Sequence, residues 1–214
     1  TDRQTDGLIR LLQYVYGAVY VRLGDIAQYS TERIAAQKLT KENYVGVDNL
    51  LTDKRGKTDS EHVPASGMCA SFAENDILLG NIRPYLKKIW FADRSGGTNG
   101  DVLIVKPKEN AVFPKYLYYV LASDRFFSYD VQYSKGAKMP RGNKEAIMNF
   151  EFPLPSLAEQ ERIVSILDRF DKLCNDISDG LPAEIEARRK QYEYYRDKLL
   201  RFDMNDRKED QAKN

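Results

Sequence analysis

The sequence predicts a mixed α/β domain followed by a long α-helical coiled-coil arm. Short apolar runs typical of strands alternate with helical patterns up to Pro155. After Ser156 the apolar residues recur every three or four positions, as in a coiled coil. Four regions are therefore predicted: an N-terminal helical segment (1–17), a globular domain (18–155), a helical coiled-coil region (156–203) and a polar, disordered tail (204–214).

The first half of the globular domain is predicted to consist of short elements joined by turns. Asp6 precedes a helical pattern over residues 7–16, which Gly17 ends. The elements predicted next are a strand over 18–23, a turn at Gly24-Asp25, a brief helix or irregular segment over 34–37, a strand over 44–47 and an exposed turn over 53–57.

The second half of the domain contains the clearest strand. Residues 101–105 are apolar, rich in β-branched side chains, and bounded by Gly100 and Pro107. The other predicted elements are strands over 77–79 and 89–92, a plain loop over 95–100, a helix over 115–127, a basic loop over 136–142 and an extended segment at 150–155.

The predicted arm contains two apolar seams with heptad spacing. Ser156 and Glu159 have the spacing of a capping box at the start of the first helix, and residues 179–182 break the pattern before a second helix. The seam residues are Ile163, Ile166, Phe170, Leu173 and Ile177, and then Ile185, Tyr192, Tyr195 and Leu199, with Arg188 as a departure. The flanking charges favour a helical partner in trans, although a helical pair packed on its own domain gives a similar pattern. A hairpin and one kinked helix both remain open.

Charge is distributed unevenly along a chain whose formal net charge is only +1. Residues 1–77 carry 9 basic and 11 acidic residues, residues 78–144 carry 12 and 5, and residues 145–214 carry 12 and 16. The net charges of these sections are therefore −2, +7 and −4. A locally basic surface is what a nucleic-acid phosphate backbone attracts, so the middle section is compatible with DNA binding.

The sequence lacks the motifs of several functional classes. The chain has no P-loop, no dinucleotide-binding glycine motif and no Asn-Pro-Pro-aromatic tetrapeptide. His62 is the only histidine, and Cys69 and Cys174 have no C-x-x-C partner, so we predict no enzyme activity, metal or cofactor. Two free thiols fit a cytoplasmic protein. The apolar run over 8–23 is short and interrupted by charge, so no membrane association is predicted.

Three basic, turn-like stretches are the binding features of the sequence. Arginine and lysine reach phosphates or the guanine edge, and asparagine can bind adenine. The first stretch contains Lys54, Arg55 and Lys57; the second contains Arg83, Tyr85, Lys87 and Lys88; and the third contains Lys135, Lys138, Arg141 and Asn143. For any single residue, a solvated surface cation explains the pattern equally well.

The order of motifs resembles the specificity (S) subunit of type I restriction-modification systems. The resemblance covers residues 20–202. It is most specific in the proline-rich segment that leads into the arm and at the end of the arm. The motifs are Arg22-Leu23-Gly24-Asp25-Ile26, Ile82-Arg83-Pro84-Tyr85-Leu86-Lys87-Lys88, Phe152-Pro153-Leu154-Pro155-Ser156-Leu157-Ala158-Glu159-Gln160 and Lys190-Gln191-Tyr192-Glu193-Tyr194-Tyr195.

The resemblance implies a non-catalytic DNA-recognition chain. Residues 18–155 would be a target recognition domain that binds one half of a bipartite double-stranded DNA site. The arm would space such domains and bind methyltransferase (M) subunits, in a complex that also contains endonuclease (R) subunits. A full S subunit has two copies of domain and helices, and this chain has one. A natural half-subunit, a truncated subunit and an excised half all remain open, and a homodimer through the arm would restore the second copy.

Two alternatives from other classes accompany this interpretation. An adaptor that binds a helical protein through its coiled coil would show no salt-sensitive DNA binding. A stand-alone nuclease would cut DNA in a metal-dependent manner, for which the chain offers only Asp101 near Lys106 or Lys108.

Overall fold

The computed structural model describes residues 17–108, 112–176 and 182–200, with side chains described outside 173–185. These residues form two compact units. The sheet unit is Arg22–Phe150, and the helical unit combines residues 17–21 with residues 151–200. The helix predicted over 7–16 and the tail predicted over 204–214 lie outside the described residues.

The described residues contain ten strands and six α-helices. The strands are β1 (Ala18–Arg22), β2 (Ala27–Tyr29), β3 (Arg33–Ala35), β4 (Tyr44–Val45), β5 (Met68–Phe72), β6 (Ile77–Gly80), β7 (Ile89–Phe91), β8 (Gly96–Thr98), β9 (Val102–Pro107) and β10 (Glu151–Pro155). The helices are α1 (Leu23–Ile26), α2 (Pro114–Leu121), α3 (Asp124–Tyr133), α4 (Lys144–Met148), α5 (Leu157–Asp176) and α6 (Pro182–Leu199). Two 3-10 turns occupy Ala36–Lys38 and Pro84–Leu86.

Two four-stranded sheets build the sheet unit. The first has the order β2-β9-β6-β7 and is antiparallel throughout. The second has the order β3-β5-β8-β4, in which only β4 and β8 run parallel. Their apolar side chains share one core, where the rings of Phe72 and Trp90 meet edge to face at 5.8 Å. Burial of such aromatic and β-branched residues supplies the main driving force for folding this unit.

The mixed α/β fold predicted from the sequence is confirmed, and so are the strongest strands. The predicted segments 77–79, 89–92 and 101–105 correspond to β6, β7 and β9. The Asp53-Lys57 stretch is a turn, and Gly136 to Gly142 form a loop, as predicted. The helix after Ser156 is also observed, and the Ser156 side-chain oxygen accepts a hydrogen bond of 3.4 Å from the Glu159 amide.

Several local predictions were wrong or incomplete. The single helix predicted over 115–127 is two helices, because the Ser123 hydroxyl caps a new helix by accepting from the Phe126 amide at 3.2 Å. The Gly24-Asp25 turn lies in α1, and the predicted 95–100 loop contains β8. Residues 34–37 divide between the end of β3 and a 3-10 turn, and β2 and β5 were not predicted.

The helical unit pairs β1 with β10 and packs α5 against α6. Gln160 is fully buried at the start of α5, where its side-chain amide donates to the Pro155 carbonyl at 2.8 Å. Near the end of α6, Arg196 is only 1% exposed and its guanidinium contacts the Asp197 carboxylate at 3.1 Å. Both buried polar side chains therefore have local hydrogen-bond partners, which offsets the cost of removing them from water.

Some residues of the predicted seams pack against other parts of the same chain. Ile163 is buried, whereas Ile166, Phe170, Tyr192 and Leu199 are half-buried. The Phe170 and Tyr195 rings stack at 6.1 Å, so the two described helices meet each other. Leu173, Ile177 and Ile185 lie outside the described side chains. The deepest buried positions on the two helices also include residues that the heptad pattern did not select: Val164, Leu167, Arg196 and the adjoining Leu200.

Candidate nucleic-acid interface

The first basic stretch is a tight turn after Leu51. Its ends are tied by a hydrogen bond of 2.8 Å from the Leu51 amide to the Gly56 carbonyl. Asp53 and Lys54 both adopt left-handed backbone conformations, with φ of 55° and 62°. Gly56 has a φ of 82°, which glycine adopts without a steric penalty. The turn therefore has a defined backbone conformation.

The second basic stretch surrounds the 3-10 turn Pro84–Leu86. Arg83 and Lys87 flank this turn and are both left-handed, with φ of 51°. The Leu86 amide donates to the Arg83 carbonyl, and the Lys87 amide to the Pro84 carbonyl, each at 2.9 Å. Because proline fixes its own φ, Pro84 favours this compact turn.

The third basic stretch is a narrow loop between α3 and α4. Lys135 and Arg141 exchange two backbone hydrogen bonds of 2.9 and 2.8 Å, which close the loop at its base. Lys138 and Met139 lie at its exposed tip. Below the base, the Asn143 side-chain oxygen accepts from the Glu145 and Ala146 amides and so caps α4. Asn143 therefore supports the loop from its C-terminal side.

Backbone hydrogen bonds bring the three stretches together. The second stretch lies between the other two: the Lys54 amide donates to the Lys87 carbonyl at 2.9 Å, and the Arg83 amide donates to the Pro140 carbonyl at 2.7 Å. A further bond of 3.0 Å joins the Gly142 amide to the Asn81 carbonyl. The residues that the sequence predicted as three separate basic stretches thus form one connected surface, which we call the basic surface.

Backbone strain is concentrated at the basic surface. Among the described non-glycine residues, five have a positive φ, and four of these are Asp53, Lys54, Arg83 and Lys87. Each left-handed residue costs about 1–2 kcal/mol, so such conformations persist where the surroundings impose them, and they cluster at functional sites. The strain therefore marks this surface independently of its charge.

The predicted site residues fall into two groups by exposure. The first group is exposed to solvent: Arg55, Arg83, Tyr85, Lys135, Lys138 and Arg141. The second group is half-buried: Lys54, Lys57, Lys87, Lys88 and Asn143. In the first group Arg141 also contacts the Asp101 carboxylate at 3.0 Å. Exposed guanidinium and ammonium groups are the ones that a phosphate backbone can reach without rearrangement.

The half-buried lysines have partners inside the sheet unit. The Lys57 ammonium lies 5.5 Å from the Trp90 ring centroid and 3.6 Å from the Asp59 carboxylate. The Lys88 ammonium donates to the Val47 carbonyl, and burial lowers the pKa of Lys88. These side chains stabilise the loops more directly than they present charge to a ligand.

A buried polar pair beneath the basic surface was missed by the sequence analysis. Asp130 is 1% exposed and Asn81 is 6% exposed, and neither carboxylate oxygen of Asp130 nor the Asn81 side-chain oxygen has a hydrogen-bond partner. Burial raises the pKa of Asp130 to about 6. A methyl group on Gly142 would lie 2.7 Å from Asp130 Oδ1 and 2.9 Å from Asn81 Oδ1. Glycine at this position therefore lets the loop base approach the pair.

Asp124 was also missed. Its carboxylate contacts Lys54 and Lys87, which belong to two different basic stretches. The Ser123-Asp124 dipeptide has the form of a helix cap and could have revealed the break between α2 and α3. No sequence signal indicates the contact with the lysines, because it depends on the tertiary fold.

Other site types find little support in the described part of the chain. There, no group of three or more His, Cys, Asp or Glu side chains is placed to hold a metal ion. Cys69 is a half-buried free thiol, as predicted. None of the helices within the described ranges has both the length and the apolar character needed to cross a membrane.

Comparison with protein families decides the affiliation of the chain. Residues 17–187 match the model of the type I restriction modification DNA specificity domain. The chain belongs to this family. The resemblance predicted from the sequence is thus confirmed, and so is the assignment as a non-catalytic specificity component, because the family and its curated members are specificity components.

Curated relatives support the same family. The chain is 42% identical over 104 residues to the EcoR124I/EcoR124II specificity subunit of Escherichia coli, a match that covers 49% of this chain and 26% of that protein. It is 34% identical over 130 residues to a putative type I restriction enzyme specificity subunit of Haemophilus influenzae, covering 60% and 32% respectively. The chain thus spans about a quarter to a third of these relatives.

Solved structures support the fold. The HsdS subunit from Thermoanaerobacter tengcongensis superimposes with a TM-score of 0.57 at 22% identity, over 76% of this chain and 43% of that one. The type I restriction-modification S subunit from M. genitalium gives a TM-score of 0.52 at 14% identity, over 76% and 41%. The chain therefore shares the fold of a part of these subunits.

Proposed function

We propose that the chain reads one half of a bipartite double-stranded DNA site as a specificity subunit of a type I restriction-modification complex. The observation that carries the proposal is the basic surface, in which three stretches are joined by hydrogen bonds and contain four of the five left-handed non-glycine residues described. Membership of a DNA specificity family supplies the class of ligand. In this proposal residues 18–155 act as the target recognition domain.

The exposed members of the basic surface are the proposed DNA contacts. Arg55, Arg83, Lys135, Lys138 and Arg141 would contact phosphates or guanine edges, since arginine and lysine provide both kinds of hydrogen bond. Tyr85 is 52% exposed beside them and would contact a sugar or base through its ring. The half-buried residues Lys54, Lys57, Lys87, Lys88 and Asn143 would mainly hold the loops in place.

The helical region 156–203 is proposed to act as a coiled-coil arm toward protein partners. Tyr194 is 62% exposed on α6, and charged side chains cover much of the described helix surfaces. We propose that this arm binds methyltransferase subunits, in a complex that also holds endonuclease subunits in the cytoplasm. A homodimer through the arm would pair two recognition domains and predict an inverted-repeat site.

Methylation mapping is the experiment that tests DNA reading. Co-expression of the chain with its methyltransferase subunit should produce methylation at one bipartite motif. Lys138→Ala combined with Arg141→Ala should relax that motif or weaken binding at least about tenfold, because two charged DNA contacts are lost. The charge-matched control is Arg33→Ala with Lys38→Ala, two exposed residues of the sheet unit outside the basic surface. A double variant with unchanged motif and affinity would remove this loop from the interface.

Light scattering tests the homodimer. The full chain at roughly tens of micromolar should have the mass of two copies if the arm forms a dimer of ordinary protein–protein affinity. A single-copy mass at that concentration would contradict the dimer, and the recognition proposal would stand without it.

A further inference from the structure

One carboxylate joins two of the basic stretches. Asp124 is the first residue of α3, and its Oδ1 atom lies 3.2 Å from the Lys54 ammonium and 2.8 Å from the Lys87 ammonium. Lys54 belongs to the first stretch and Lys87 to the second. Charge-assisted contacts of this length are stronger than neutral hydrogen bonds, so Asp124 links two loops that are distant in sequence.

The same two lysines carry backbone strain and bond to each other. Lys54 has a φ of 62° and Lys87 a φ of 51°, and the Lys54 amide donates to the Lys87 carbonyl at 2.9 Å. A left-handed residue with a side chain needs surrounding contacts that outweigh its steric cost. The contacts with Asp124 provide such restraint on both loops at once.

The cluster also lowers the positive charge that the surface offers to DNA. The Lys87 and Asp124 side chains are 35% and 34% exposed, whereas the Lys54 side chain is 10% exposed. A phosphate that approaches Lys87 therefore meets a carboxylate at the same place. Because phosphate attraction is independent of sequence, this repulsion lowers affinity for every duplex, while the fixed loop geometry benefits only the duplex that fits.

We propose that Asp124 is a positioning residue that increases sequence discrimination at the expense of non-specific DNA affinity. This inference rests on the DNA-reading function proposed above. Asp124 contacts the lysines and not the bases, and it acts through the placement of Lys54 and Lys87. Asp124 thus raises the ratio of target affinity to non-specific affinity. A residue that only stabilises the fold would change both affinities together.

Asp124→Asn tests the proposal because it removes the charge and keeps the shape. Fluorescence anisotropy of the full chain would measure affinity for the mapped target duplex and for a scrambled duplex at several salt concentrations. We expect roughly threefold or greater tightening on the scrambled duplex and a salt slope steeper by about 0.9, the value of one additional phosphate contact. The preference for the target should fall roughly tenfold because the loops lose their restraint.

A double-variant cycle identifies the ammonium responsible. In a Lys87→Ala background, Asp124→Asn should no longer tighten scrambled-duplex binding, since the released charge is absent. Asp93→Asn is the matched control, because Asp93 is an exposed acid that pairs with its neighbour Arg94. Its affinities for both duplexes should equal those of the wild type. Thermal melting of each variant distinguishes unfolding from an effect on binding.

Three results would overturn the proposal. Equal weakening on both duplexes with an unchanged salt slope would reduce Asp124 to a structural residue. No change in either affinity would remove its role altogether. A wild-type chain that binds target and scrambled duplexes equally, or binds neither, would contradict the DNA-reading function as well. The first two results leave that function intact, so the two failures can be told apart.

Discussion

The sheet unit and the helical unit use their charged residues differently. Besides local pairs such as Asp93–Arg94, the sheet unit contains long-range pairs: Asp124 contacts Lys54 and Lys87, and Glu32 contacts Lys106. In the helical unit, the described pairs Glu159–Arg162, Glu186–Lys190 and Arg189–Glu193 lie within one helical turn. Long-range pairs depend on the tertiary fold, whereas pairs three or four residues apart follow from helix geometry alone.

This difference separates two kinds of functional surface. The basic surface of the sheet unit exists only when three loops are held together, so its function should be sensitive to buried and strained positions. The surface of the helical unit follows from the periodicity of its sequence and should tolerate changes at single exposed charges.

Substitution of Gly96 should have the largest effect on the free energy of unfolding, because β8 is closely packed. A methyl group on Gly96 would lie 2.0 Å from the Asn43 carbonyl oxygen and 2.7 Å from the Phe72 ring, both in the folded interior. Gly96→Ala should therefore cost about 3 kcal/mol or more of unfolding free energy. Gly100→Ala is the matched control, because nothing lies within 4 Å of the added methyl group. Urea denaturation that gave equal stabilities would contradict the packing of β8.

The buried carboxyl group of Asp130 should make the stability of the sheet unit pH-dependent. Burial raises its pKa to about 6, above the ordinary value of 3.8. Between these two values the folded state keeps a proton that the unfolded state has lost. The contribution of Asp130 to stability is therefore present below about pH 4 and declines as the pH rises to 6, by up to roughly 3 kcal/mol.

Asp130→Asn tests this directly. The difference in unfolding free energy between variant and wild type should shift in favour of the variant as the pH is raised from about 4 to 7. Denaturant titrations at several pH values measure this difference, with Asp93→Asn as an exposed control. A difference that stays constant over this range would show that Asp130 is already ionised in the folded protein.

Local features could be predicted from the sequence, but the way in which they come together in the tertiary fold could not. The strand β9 was predictable from a run of β-branched residues between Gly100 and Pro107, and the start of α5 from Ser156 and Glu159. The strand β5 was missed because its residues do not alternate clearly, and its position is set by pairing with β3 and β8.

The basic surface shows the same limit. Each basic stretch was predicted from composition, but the bonds that join them link residues far apart in sequence. The left-handed conformations of Lys54, Arg83 and Lys87 leave no signal, because lysine and arginine ordinarily avoid them. In the arm, the heptad pattern located Ile163 and missed Leu167, since a helix that packs on more than one neighbour buries a wider stripe than a coiled-coil seam.

Phe170 should have an intermediate effect, confined to the helical unit. Its ring stacks on Tyr195 at 6.1 Å with an angle of 15° between the planes, and the side chain is half-buried. Phe170→Ala should cost about 1–2 kcal/mol, less than a fully buried aromatic residue would. It should leave the affinity of the full chain for a duplex with a single half-site unchanged, because such a duplex engages one basic surface and that surface lies in the sheet unit. A loss of DNA affinity without unfolding would contradict the separation of roles between the two units.

Glu186 should show the smallest effect and complete the comparison with Asp124. Its carboxylate contacts the Lys190 ammonium at 3.0 Å, and this contact lowers the pKa of Glu186. Both partners are largely exposed, so water and salt screen the attraction and the side chains lose freedom on pairing. Glu186→Gln should therefore leave the melting midpoint and DNA affinity unchanged within error, whereas Asp124→Asn, the same type of change, should alter the salt slope. A comparable response in both variants would mean that the loss of an ion pair alone explains the effect of Asp124→Asn. The restraint on the strained loops would then play no part in it.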